Sequence, residues 1–152
     1  MRDTIQSSLK SALKAGEAKE VSTLRLITAA LKDKDIAARS KGNTDGISDD
    51  EILSMLQTMI KQRQESAKMY REGGREELAQ SEDDEIVIIK TFLPEQMDEA
   101  AVADAISAAI QSTGAESIKD MGKVMGHLKE HYAGQMDFGA ASGAIKARLL
   151  GQ

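Results

Sequence analysis

The sequence predicts an all-α protein: an N-terminal bundle of about four helices, followed by a small three-helix C-terminal tail domain. Three observations point there. The composition is rich in Ala, Leu, Glu, Lys and Gln, residues that favour helix. Apolar residues recur at three- and four-residue spacing through most segments. Ser or Asp opens several of those segments and Gly closes them. The single proline, Pro94, sets the expected boundary, giving domains at 1–94 and 95–152.

The first helix is expected over about Thr4 to Ala15, with Ile5, Leu9 and Leu13 as its stripe and Gly16 as C-terminal cap. The second runs from about Lys19 to Arg39, with Leu24, Ile27, Leu31 and Ala38 inward. "SKGNTDG" is a loop. "SDDE" at 48–51 is a capping box, Ser48 with Glu51, that opens a third helix ending at Gly73-Gly74. Ile52, Leu56, Met59, Arg63 and Tyr70 trace its inner side, flanked by Met55 and Ile60. The fourth spans about Arg75 to Phe92. Its "EIVIIK" also suits a strand, but Leu78, Glu82, Ile86, Ile89 and Leu93 keep helical spacing and no second strand exists to pair with.

Beyond Pro94, Asp98 caps a helix from about Glu99 to Gln111, with Val102, Ile106 and Ile110 inward. A glycine-bearing helix spans about Asp120 to Tyr132, and Gly134 closes it. Asp137 caps a last helix with Phe138, Ile145 and Leu149 inward. Aromatic residues are 3% of the chain, so Leu, Ile, Val, Ala and eight Met must build the cores.

Cysteine is absent, which excludes disulfides, thiolate metal sites and a cysteine nucleophile. The first residues lack a signal-peptide pattern, and no apolar run approaches a membrane span. A soluble cytoplasmic protein without membrane contact is expected. Net charge is −5, but it is unevenly spread. From Ser117 onward there are five basic and three acidic residues, so that segment is +2 and the remainder −7.

The segment "KDMGKVMGHLK" at 119–129 draws attention to its two glycines. Each costs a helix roughly 1 kcal/mol relative to alanine. On a wheel of about 100° per residue starting at Lys119, the apolar Val124, Leu128, Met121 and Met125 fall between about 140° and 240°. Gly122 and Gly126 fall opposite, at about 300° and 340°, among Lys119, Lys123, Lys129 and His127. Two uses fit. A glycine pair lets a partner touch backbone while lysines supply charge, as an RNA phosphate chain requires. It also lets another helix of the same protein cross closely.

Other patterns are weaker. "HLKEH" at 127–131 matches the H-x-x-E-H string of a zinc peptidase group, with Glu130 as base. His127 and His131 are the only histidines, so a carboxylate would have to complete the site, and two exposed histidines is the reading adopted. "SEDDE" at 81–85 reads as a solvated acidic helix start rather than an acid–base pair. "GGREE" lacks the strand and the Lys-Ser/Thr ending of a phosphate loop. No catalytic, cofactor or metal residues are assigned.

The segments "KQRQESAKMYREGGREELA", "FLPEQM" and "DMGKVMG" closely resemble the GatB/YqeY family, and the likeness covers nearly the whole chain. It is similar to the stand-alone YqeY type. The resemblance implies a longer helical N-terminal domain and a three-helix tail like that of the aspartyl/glutamyl-tRNA amidotransferase B subunit. There the similar tail recognises tRNA during glutamine-dependent amidation, a carbon–nitrogen ligase reaction. Asp120, Met121, Gly122, Lys123, Val124, Met125 and Gly126 are the matching positions. Phe92 departs from the Tyr usual before Leu-Pro. The kinase and amidase parts that do the chemistry have no counterpart here. Two functions remain: a non-catalytic tRNA-binding or accessory module beside an aminoacyl-tRNA-processing enzyme, and a protein–protein adaptor with no RNA binding.

Overall fold

A computed structural model describes residues 1–151. Among them are seven α-helices and no strand, so the all-α expectation holds. One compact unit, Met1–Leu93, holds α1 (Arg2–Ala15), α2 (Ala18–Ser40), α3 (Asp49–Glu72) and α4 (Glu76–Lys90). A second begins at Pro94 and holds α5 (Glu99–Thr113), α6 (Met121–Tyr132) and α7 (Phe138–Leu149).

Local signals set the helix ends. Gly16 ends α1 at φ 73°, a left-handed conformation that glycine adopts without steric cost. The α3 capping box forms as its residues suggest: Glu51 N–H donates to Ser48 Oγ at 3.2 Å, and Ser48 N–H donates to Glu51 Oε2 at 2.7 Å. α4 stops at Lys90, two residues earlier than spacing predicts. Thr91, Phe92 and Leu93 instead donate to carbonyls three residues back, a tightened turn that leads into Pro94.

The first core gathers Ile5, Leu24, Ile27, Ile52, Leu56 and Ile89, each nearly free of solvent contact. Two expected core leucines are not in it. Leu13 is 49% exposed and Leu78 44% exposed, while their neighbours Ala12 and Ala79 are buried. Small residues at these points let helix surfaces approach closely, and each helix turns accordingly. α3 shows the same preference at Ala67, buried although spacing does not single it out.

The acidic run 81–85 is not a solvated face. Its five side chains are only partly exposed. Glu85 accepts from Arg63 Nε at 2.7 Å, Asp84 pairs with Lys19, and Asp83 pairs with Arg71. Partial burial pushes the Glu82 carboxyl above its ordinary value, with Glu85 adding to the shift.

The second core gathers Ile106, Ala109, Val124, Leu128, Ala141 and Ile145. Phe138 and Leu149 are partly buried against it. The segment after Pro94 is tied in by Met97 N–H donating to Gln135 O at 2.9 Å and Gln96 Nε2 donating to Gly134 O at 2.6 Å. Asp98 and Asp137 cap α5 and α7, accepting from Ala101 N–H and from Gly139 and Ala140 N–H.

Candidate nucleic-acid interface

α6 is amphipathic, and its inner face is fixed first. Val124 and Leu128 are fully buried, and Met121 and Met125 pack against the same core. That orientation sends Gly122 and Gly126 outward. Both are exposed, and a Cβ built on either would meet nothing within 4 Å. Among the described residues nothing packs closely on the two glycines, so close internal packing does not explain them.

A 3-10 turn, Ile118–Asp120, precedes α6 and places the lysines. The expected helix start at Asp120 is therefore one residue early. Lys119 is exposed within this turn. Lys123 follows on α6 with its side chain 72% exposed and its Nζ 4.0 Å from Asp120 Oδ1. Lys129 is exposed in the last turn, where a cation suits the helix dipole. All five residues thus belong to one short stretch: Lys119 in the 3-10 turn, and Gly122, Lys123, Gly126 and Lys129 exposed on α6.

Asp120 organises the entry to that helix. Its carboxylate accepts from Glu116 N–H at 3.0 Å and Ser117 N–H at 3.1 Å, and these bonds hold it below its ordinary pKa. It makes no side-chain hydrogen bond to the first amides of α6. The remaining tail cations lie on α7, where Arg148 donates to Ser107 Oγ at 2.5 Å.

His127 and His131 stack on each other with ring centroids 4.2 Å apart. No three His, Cys, Asp or Glu side chains gather among the described residues in a way that would hold a metal ion. The ring stack is a feature that spacing alone does not reveal, although placement at i and i+4 on one helix allows it.

Fold and surface together define a small helical protein whose second unit presents a glycine–lysine helix face. The chain belongs to the YqeY-like family, whose model matches residues 2–149. It is also similar to a protein of Lachancea thermotolerans called altered inheritance of mitochondria protein 41, mitochondrial. The two are 25% identical over 154 residues, covering 97% of this chain and 78% of that protein. Among the described residues, no helix is long and apolar enough to cross a membrane.

Proposed function

We propose that this protein is a non-catalytic accessory module that binds tRNA through the exposed side of α6. The observation that carries the proposal is the open space over Gly122 and Gly126. Any side chain there would hold a partner several ångströms off the helix. Without one, a phosphate chain reaches the backbone, and Lys119, Lys123 and Lys129 neutralise it. Two exposed glycines in a helix otherwise only weaken it.

The resemblance of "DMGKVMG" to the tail of the amidotransferase B subunit, read from the sequence alone, suggests the setting. The protein acts in the cytoplasm beside a glutamine-dependent, tRNA-amidating ligase and has no ligase chemistry of its own. The mitochondrial label belongs to the Lachancea protein's name. An adaptor reading in which the glycines only pack internally is less favoured, because among the described residues nothing lies within 4 Å of a Cβ built on either.

The test is binding of total tRNA to the purified protein across a salt series. The parent binds, and affinity falls steeply with salt. Lys123→Glu and Lys119→Glu each bind more weakly, and each lowers the log–log salt slope by about 1. No binding at low salt, or parent-like binding by both variants, overturns the proposal.

A further inference from the structure

We propose that His127 and His131 form a stacking platform for an unpaired base, so that the RNA taken by α6 is single-stranded where it meets this helix. The inference rests on the phosphate-docking reading of the glycine–lysine face and adds which form of RNA that face selects.

The arrangement of α6 carries the argument. Lys123, His127 and His131 lie at i, i+4 and i+8 and form one stripe. Gly122, Gly126 and Glu130 form the adjacent stripe with the same spacing. A backbone passing over the two glycines would meet the exposed carboxylate of Glu130 one turn further on, about 6 Å along the axis. That charge repels phosphate. The histidine end therefore suits a base.

The rings are ready for one. Their planes are 28° apart at 4.2 Å, so the two imidazoles form one short stack. His131 is exposed, while His127 is half-buried. Nδ1 of His131 lies 2.8 Å from the His127 carbonyl oxygen. A carbonyl only accepts, so that nitrogen carries the proton, and the bond fixes the ring's orientation. Tyr132, partly buried against the second core, backs His131 with a ring tilted 46° at 6.3 Å. The chain has two His, two Phe, two Tyr and no Trp, and three of these six ring-bearing side chains meet at this one helix end. Bases stack on fixed planar side chains largely without regard to sequence. In a duplex the base faces are already covered, so only unpaired nucleotides can use such a platform.

The experiment measures binding of a labelled single-stranded RNA of about ten nucleotides, and of the same strand annealed to its complement, to the full-length protein. The parent prefers the single strand. His131→Ala weakens single-strand binding about tenfold and leaves duplex binding unchanged. His131→Phe restores it, because it supplies a ring. His131→Lys does not, because it supplies a charge and no ring. Parent-like single-strand binding by His131→Ala, or equal rescue by Lys and Phe, overturns the platform. If Lys123→Glu weakens both RNAs while His131→Ala changes neither, the phosphate face stands and the platform falls. If neither RNA binds the parent, both readings fall.

Discussion

Arg2 ties three segments of the first unit together, and its partners show what a single residue can hold. Its guanidinium donates to both carboxylate oxygens of Asp35, at 2.6 and 2.7 Å, and to the Ile47 carbonyl at 2.9 Å. Asp35 also accepts from Ile47 N–H at 2.9 Å. The clip needs a glycine beside it. Gly46 has φ +87°, and a Cβ there would lie 2.6 Å from Arg2 Nη2 and 2.7 Å from Asp35 Oδ1. Arg2 and the Ile47 amide lower the Asp35 pKa from 3.8 to about 2. A carboxylate held lower in the folded state than in the unfolded one stabilises the fold above its unfolded value. That contribution is lost as pH falls through the folded value. Asp35→Asn should cost on the order of 1–3 kcal/mol at neutral pH. In thermal melts the gap to the parent should narrow as pH falls from about 4 to about 2. A gap that does not change with pH would mean the ionised clip is not the cause. The sequence shows Gly46 only as part of a loop, because its constraint comes from side chains distant along the chain.

At the scale of elements, helix positions were largely legible and helix rotation less so. Caps at Gly16, Ser48, Asp98 and Asp137 mark ends that the structure keeps. Ile86 to Ile89, ambiguous by β-propensity, are helical because spacing and tertiary packing outweigh propensity. Apolar spacing favours large residues, however, and so misplaces Leu13 and Leu78, where alanines take the close contacts. The pairing of the acidic run escapes periodicity for another reason. Arg63 is 22 residues from Glu85 and Lys19 is 65 from Asp84. The α4 seam gives a direct comparison. Ile89→Ala should cost about 2–5 kcal/mol in denaturant unfolding, since it empties a fully buried site. Leu78→Ala should change stability by less than about 0.5 kcal/mol. Equal losses from the two would mean that α4 is rotated from the orientation described. On α6 the sequence wheel places both glycines opposite the buried face, and their surroundings are open. The histidine stack depends on side-chain rotamers, which no spacing rule supplies.

At the scale of the whole molecule, the charge of −5 makes general attraction to RNA weak. Binding must then come from a local surface, and the segment from Ser117 onward carries five basic against three acidic residues. The central claim is that its two helical glycines serve a partner and not the fold. One variant separates these uses. Leucine at position 126 enters open space and has a higher helix propensity than glycine. The measurement is the Tm of Gly126→Leu together with its tRNA affinity at low salt. The account predicts a Tm equal to or above the parent's and tRNA binding weakened about tenfold, as expected when bulk separates charged partners that must touch. A lower Tm, or parent-like tRNA binding by a well-folded variant, would contradict it.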